Sequence, residues 1–192
     1  MPFIRQYHLH IPLLWIFFWS PALWDSSLSV FDAMDEQLFH APTIHHFAQS
    51  LPFPDLSDYG SATTPLYHLL LAPLSWLTNH HITSLRVVNL LLSGACLWVI
   101  VRCLALWGHP RLGLLGALVV GSSPYFVGPA VRLSTDNAAL LAVFTTLLAT
   151  HPSTQRSPWP ASLWATAAVW SLQFLLCLLA PILLAGLTAP RR

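Results

Sequence analysis

The sequence predicts an all-α protein that forms a polytopic transmembrane helical bundle of about five spans, with interfacial or re-entrant helices in its first external loop. Of the 192 residues, 55% are hydrophobic and only 8% are charged. A soluble domain has about a quarter charged residues, so this chain has too little polar surface to cover a core in water. Because a bilayer offers no hydrogen-bond partner to an open backbone, segments that cross it fold as helices.

Charge and cysteine content exclude other classes of protein. The formal net charge is +1, there is no lysine, and the arginines are scattered rather than gathered into a basic tract, so we expect no nucleic-acid partner. Cys96, Cys103 and Cys177 all lie in apolar stretches. An odd, buried set of thiols argues against a disulfide framework or a zinc site.

The first apolar segment, from about residue 3 to residue 24, is long enough to cross a bilayer. Arg5 precedes the main apolar run and no cleavage pattern follows it, so we expect a retained first span. The polar segment 25–64 then holds six of the seven acidic residues and no arginine. Because cytoplasmic loops collect basic residues, we place this loop outside the cytoplasm and the N-terminus inside.

Two shorter helices are predicted within and after this loop. Residues 35–49 can form a helix that lies on the membrane, and Pro52 and Pro54 follow it and stop it. Segment 65–78 is apolar, but it is too short for a full crossing and contains Pro73. It is therefore predicted to be interfacial or re-entrant.

Four later apolar runs complete a single transmembrane domain over residues 1–192. They cover about 84–106, 112–131, 138–150 and 161–187. The second of these runs contains four glycines that let helices pack closely in lipid, Gly113, Gly116, Gly121 and Gly128. Five crossings in all leave the terminal arginine pair 191–192 outside, against the usual bias, so we expect a shifted boundary or a chain that continues in a longer protein.

The adjacent carboxylates Asp35 and Glu36 are the first candidates for chemistry. One carboxylate can accept the proton of an incoming sugar hydroxyl, and its neighbour can orient the acceptor. This use requires partial shelter, because desolvation and a neighbouring charge raise the pKa toward neutral pH. The alternative is a solvated helix N-terminus, where the helix dipole favours acidic residues.

A second group of candidates precedes the fourth span. Asp136 stands where a polar turn meets an apolar run, which indicates either a functional carboxylate or, with Thr135, a helix cap. Arg132 can hold a donor phosphate through its guanidinium, or can contact lipid head groups instead. The predicted topology places Asp136 and Asp35 on the same side of the membrane.

Histidines follow the acidic pair closely. His40, His45 and His46 cluster there, and His40 can share a helical face with a carboxylate as part of a metal site. No set of four ligands is evident in the sequence, so we expect no cofactor, and a divalent metal is left as an open alternative.

Four ordered blocks resemble one known family. Residues 34–42 read MDEQLFHAP, 62–67 read ATTPLY, 85–91 read LRVVNLL, and 123–126 read SPYF before STD at 134–136. Together they resemble the membrane α-1,2-glucosyltransferases, which add the terminal glucose to a lipid-linked oligosaccharide. The blocks span about residues 30–150, the N-terminal part of a longer family member.

The resemblance implies a fold, a reaction and a set of roles. Asp35 corresponds to the general base and Glu36 to its companion, while Asp136 is the acidic residue of the second external loop. The implied reaction is an inverting transfer of glucose from a polyprenyl-phosphate donor to a lipid-linked glycan or another hydroxyl. The residues expected to bind donor phosphate or substrate are Arg132, His40, Thr64 and Tyr67. Membrane lipids are the remaining expected partners.

Two alternatives to an active transferase stay open. Where the family has an Arg-Gln-Thr-Asn run, residues 172–175 read LQFL, and this departure together with the short chain favours a non-catalytic or degenerate membrane subunit of the same fold. A small transporter is the other alternative, although no matching halves are visible. The expected location is the endoplasmic reticulum membrane of a eukaryote or the inner membrane of a bacterium.

Overall fold

The computed structural model describes residues 9–24, 34–57, 59–60 and 65–151, and every regular element within these ranges is helical. The prediction of an all-α fold is therefore confirmed for this part of the chain. The α-helices are α1 (His10–Trp19), α2 (Ala41–Gln49), α3 (Leu66–Leu77), α4 (Ile82–Leu106), α5 (Pro110–Ser122), α6 (Pro124–Val131) and α7 (Asp136–Thr150). A 3-10 helix, Ser20–Leu23, extends α1, and a π-helix, Glu36–His40, leads directly into α2.

Helix α4 is the one described helix that is by itself long and apolar enough to cross a membrane. Helices α5 and α6 meet the same criterion only as a pair, and they are bent by 67° at the break between them. Helices α1, α3 and α7 are apolar but shorter. A total of five crossings stays a prediction, and the predicted last span, 161–187, lies outside the described residues.

The break between α5 and α6 corrects the expectation of one continuous span over 112–131. Ser123 separates the two helices and has an extended backbone, with φ −69° and ψ 130°. Pro124 follows it, and the proline ring disfavours the helical conformation of the residue before it. Ser123 therefore ends α5, and Pro124 restarts the helix at its first position, where its missing N–H costs nothing.

Helices α1, α4, α5 and α7 alternate in direction, with α4 at the centre. Ile16 of α1 packs on Gly94, while the carbonyl of Leu23 accepts a hydrogen bond from Arg86 Nη1 at 3.0 Å, so α1 is antiparallel to α4. Gly113, near the start of α5, packs against Val101, near the end of α4.

Helix α7 runs parallel to α4. Its first turn contacts α4 where Asn137 donates to Ser93, and further along the Cys103 thiol donates to the carbonyl of Phe144. The ends of α1 and α6 and the beginnings of α4 and α7 consequently meet at one end of the bundle. The Glu36–His40 π-helix joins them there.

The outer faces of α1 and α5 carry large exposed apolar side chains. They include Leu13, Leu14, Phe17 and Phe18 on α1 and Leu112, Leu115, Leu118 and Val119 on α5. An exposed apolar surface of this extent marks a region that contacts lipid or another apolar surface.

The predicted glycines differ in how closely they are packed. A Cβ at Gly113 would lie 2.9 Å from the backbone oxygen of Val101, so α4 and α5 approach as closely as a glycine allows. At Gly121 the indole N–H of Trp15 donates to the glycine carbonyl at 2.7 Å, and an added Cβ would lie 3.0 Å from that nitrogen. At Gly116 the nearest atom, Leu104 Cδ1, is 3.7 Å away, which is ordinary contact distance.

We predict that Gly113→Ala destabilises the protein by about 1–3 kcal/mol, because a backbone carbonyl cannot move aside and the two helices must separate. Gly116→Ala is the matched control, and we expect it to be neutral or stabilising by up to about 1 kcal/mol, since alanine favours a helix over glycine. Thermal unfolding of the purified protein in detergent measures both changes. Equal unfolding midpoints for the two variants would show that α4 and α5 are not in this close contact.

Candidate functional site

A buried carboxylate, Glu36, organises the polar end of the bundle. Its side chain has no exposed surface. Arg86 on α4 donates to both carboxylate oxygens, from Nε to Oε2 at 3.0 Å and from Nη2 to Oε1. The backbone N–H of Leu133 donates to Oε2 at 2.8 Å, and Arg132 Nη1 lies 3.8 Å from Oε1. Glu36 thus joins the π-helix to α4 and to the turn that precedes α7.

Asn89 lies one helical turn after Arg86 on α4, and its side chain also binds the loop that precedes α7. Its Nδ2 donates to the backbone oxygen of Arg132 at 2.6 Å and also to that of Pro129. Its Oδ1 accepts a hydrogen bond from the Tyr67 hydroxyl at 3.2 Å. Tyr67 is buried, and this burial raises the pKa of its phenol, so the hydroxyl remains a donor at neutral pH.

The next polar residue of α4, Ser93, continues this series of contacts. Asn137 Nδ2 donates to Ser93 Oγ at 2.9 Å and to the carbonyl of Phe126 at 2.9 Å. Arg86, Asn89 and Ser93 are three and four residues apart, so they lie on one face of α4. This stripe is not among the residues predicted from the sequence, although an ionisable residue followed by polar residues at helical spacing inside an apolar segment is a signal for it.

Three of the predicted site residues line one pocket at this end of the bundle. Asp35, Arg132 and Asp136 border a cavity of about 240 Å³, which is also lined by residues of α6 and of the turn after it. Asp35 comes from the first loop and Asp136 from the beginning of α7. The structure therefore brings the two carboxylates into one pocket, while the side of the membrane on which they lie stays a prediction. We call this cavity the acidic pocket.

The burial of the carboxylates differs from the expectation that the proposed base is partly sheltered. Asp35 and Asp136 are both exposed, whereas the sheltered carboxylate is Glu36. Adjacent residues of a helix point in different directions, so Asp35 faces the pocket while Glu36 faces α4. Of the two residues expected to cap the helix that begins at Asp136, Thr135 makes no side-chain capping hydrogen bond.

The acidic pocket continues into an apolar groove. A second cavity, of about 320 Å³, shares Pro124, Gly128 and Arg132 with the acidic pocket. That middle cavity shares Trp19 and Ser122 in turn with a groove of about 490 Å³ between α1 and α5. The groove is lined almost wholly by apolar side chains, among them Leu14, Trp15, Phe18 and Leu118. Arg132 therefore stands at the junction between a polar pocket and an apolar groove.

His40 does not stand beside the open pocket but is buried behind it. Its Nδ1 lies 2.9 Å from Nε2 of His68 on α3, and His68 Nδ1 lies 3.1 Å from the hydroxyl of Tyr59. Burial lowers the pKa of His40, although the charges of Asp35, Asp136 and Glu36 oppose the shift. Burial and then His40 lower the pKa of His68 to about 3, so both rings are neutral at physiological pH.

The other predicted histidines do not join this site. His45 lies against His80, with ring centroids 4.8 Å apart, and His46 is exposed on α2. Among the described residues, no three His, Cys, Asp or Glu side chains are grouped closely enough to hold a metal ion. Thr64 and Cys177 lie outside the described residues. The segment 172–175, which reads LQFL where the resembled family has Arg-Gln-Thr-Asn, also lies outside them.

We predict that the protein becomes less stable as the pH falls below about 6.5. His68 has an ordinary pKa of 6.5 when unfolded and about 3 when folded, so the unfolded chain binds more protons in that window. Each such histidine contributes a slope of up to about 1.4 kcal/mol per pH unit. Unfolding free energies measured between pH 7 and pH 4.5 should show a shallower slope for His68→Gln, while the exposed control His46→Gln keeps the full slope. An unchanged slope in His68→Gln would contradict the burial of a neutral His68.

Comparisons with known proteins add no family assignment to this geometry. No family model, curated protein or solved structure matches the chain.

Proposed function

We propose that this protein is an inverting membrane glycosyltransferase that uses a polyprenyl-phosphate sugar, glucose by resemblance, as its donor. One observation supports this proposal above the others: a pocket with two carboxylates continues, past a buried arginine, into an apolar groove. A donor of this class has a sugar, a phosphate and a long apolar chain in the same order. The proposed acceptor is a hydroxyl of a lipid-linked glycan or of a related molecule.

The guanidinium groups at the junction, rather than the acidic pocket as a whole, favour an anion, since Asp35 and Asp136 add two negative charges on the pocket side. Glu36 lies between Arg86 and Arg132, so one carboxylate faces two guanidinium groups and the three together carry a net charge of +1. In our proposal the donor phosphate binds at Arg132, because a guanidinium matches phosphate oxygens in shape and charge. The apolar chain lies in the groove between α1 and α5, and the sugar lies in the acidic pocket.

The proposed reaction is a single displacement at the anomeric carbon. Asp35 accepts the proton of the acceptor hydroxyl as that oxygen forms its bond to the anomeric carbon. The bond between the anomeric carbon and the phosphate oxygen breaks, and polyprenyl phosphate leaves with the bonding electron pair. Asp136 binds hydroxyl groups of the sugar or acceptor on the opposite side of the pocket.

Glu36 and Tyr67 act on the substrate through other residues in this proposal. Both carboxylate oxygens of Glu36 are already used by Arg86 and by the Leu133 N–H, so Glu36 fixes the turn that carries Arg132. Tyr67 holds Asn89, which binds the carbonyl of Arg132. We regard both as positioning residues.

The proposed setting is an integral membrane protein with the acidic pocket on the non-cytoplasmic side. That side is the lumen if the membrane is the endoplasmic reticulum and the periplasmic face if it is a bacterial inner membrane. The absence of arginine in 25–64 and the apolar outer faces of α1 and α5 support this orientation and setting.

We predict that Asp35→Asn lowers sugar transfer by roughly 10²–10⁴-fold, the usual contribution of a positioned acid or base. Asp136→Asn should lower it less, because it binds rather than accepts the proton. The measurement uses the full chain in lipid nanodiscs, with radiolabelled polyprenyl-phosphate glucose as the donor and octyl α-glucoside as the acceptor probe.

Asp55→Asn is the matched control for this measurement. Asp55 is an exposed loop residue outside the acidic pocket, and its carboxylate accepts a hydrogen bond from the Ser57 N–H at 2.9 Å. We expect its transfer rate to equal that of the wild type. Equal consumption of donor by wild type and Asp35→Asn would rule out Asp35 as the catalytic base. No consumption by the wild type would overturn the transferase proposal and favour a non-catalytic membrane subunit.

A further inference from the structure

A buried chain of hydrogen bonds leads away from the acidic pocket. His40 and His68 are linked at 2.9 Å, and His68 and Tyr59 are linked at 3.1 Å. His68 has no exposed surface and His40 is 8% exposed. A buried histidine pair that also holds a tyrosine hydroxyl is more polar than packing alone requires, since an apolar side chain of equal volume would avoid the desolvation cost.

The inner end of this chain, His40, lies on the same helical segment as the proposed base, five residues further along. His40 closes the π-helix that begins directly after Asp35, and the last bond of that turn runs from the Ala41 N–H to the Glu36 carbonyl. A π-helix places residues five apart one above the other, and a single π turn inside a helix is frequent at functional sites. The charges of Asp35 and Asp136 both act on the His40 ring.

The outer end of this chain reaches a different opening of the protein. Tyr59 is half-buried and borders a pocket of about 370 Å³ together with Thr43, His46 and Gly60. This outer pocket and the acidic pocket have no lining residue in common. The chain therefore connects the neighbourhood of the catalytic carboxylate with a second surface.

The hydrogen bonds that link His40, His68 and Tyr59 can all be donated towards Tyr59 or all be donated towards His40. A neutral imidazole has one donor nitrogen and one acceptor nitrogen. In one arrangement His40 donates to His68, which donates to Tyr59. In the other arrangement Tyr59 donates to His68, which donates to His40. Passage of one proton converts the first arrangement into the second, and neither ring has to carry a lasting positive charge.

We propose that His40, His68 and Tyr59 form a proton-release path for the transferase, an inference that rests on the proposed function. The acceptor hydroxyl loses its proton to Asp35, and Asp35 passes it to His40 directly or through one water. His40 then gives its Nδ1 proton to His68, His68 gives its own to Tyr59, and the tyrosine proton leaves through the outer pocket. The charge balances, because the donor phosphodiester has one negative charge and polyprenyl phosphate leaves with two.

The test replaces the middle of the path and restores it from solution. His68→Ala should lower the rate of glucose transfer to octyl α-glucoside by roughly 10²-fold or more, the usual range for a positioned proton carrier. Added imidazole should restore the rate, because it has both a donor and an acceptor nitrogen. Added 1-methylimidazole, which fills the same space without a second exchangeable proton site, should not restore it. His46→Ala is the control, since His46 borders the outer pocket but is not in the path.

His68→Gln makes the outcome independent of the folding of the alanine variant. Glutamine can hydrogen-bond to both neighbours but cannot pass a proton, so this variant should lose transfer at pH 7 while its unfolding midpoint stays near that of the wild type. Full activity in His68→Gln, or equal rescue by the two imidazoles, would overturn the path and leave the transferase proposal standing. A wild-type protein that does not consume polyprenyl-phosphate glucose would overturn both.

Discussion

The buried pair of Glu36 and Arg86 is the contact on which the rest of the polar end depends. Burying two opposite charges costs several kcal/mol for each ion, and the attraction repays this only when the geometry is good and the remaining atoms are satisfied. Here both oxygens of the carboxylate accept hydrogen bonds, and Arg86 also donates to the carbonyl of Leu23. One pair of side chains thereby joins the end of α1's 3-10 extension, the π-helix and α4, and through Leu133 the turn before α7.

The polar stripe on α4 divides the molecule into two chemically different ends. After Ser93, towards its C-terminal end, α4 packs through apolar side chains such as Leu97 and Val101, and glycines bring α5 close to it. Between Arg86 and Ser93 the same face holds a guanidinium, an amide and a hydroxyl, and Arg86 and Asn89 hold Glu36 and the turn at Arg132 beside the acidic pocket. A site at this end is open to polar substrates, while the groove beside α1 is open to an apolar chain, which is the combination that a lipid-linked substrate needs.

The composition and the lengths of the apolar segments were enough to predict most of the helices. The contacts between residues distant in the sequence were not predictable. Helix α4 extends over Ile82–Leu106 where 84–106 was expected, because a long apolar run has few alternatives in lipid. The break at Ser123 was readable from Pro124. The hydrogen-bond partners of Glu36 and His40 could not be predicted from the sequence, since Arg86 is 50 residues from Glu36 and His68 is 28 residues from His40. No periodic pattern of nearby residues indicates either contact. The sequence did identify Asp35, Arg132 and Asp136 as candidates, but their meeting in one pocket, and the exposure of Asp35 rather than Glu36, depend on the direction of each side chain.

A double-mutant cycle between Glu36 and Arg86 tests this account most directly. The free energy of unfolding is measured in mixed detergent micelles for the wild type, Glu36→Gln, Arg86→Met and the double variant. Loss of one partner leaves the other buried without its counter-charge, so each single change should cost about 3–5 kcal/mol. The double variant should cost less than the sum of the two by about 0.5–3 kcal/mol, which is the range for residues in direct contact. Strictly additive single changes would show that the two residues do not interact and that the polar end is held together by something else.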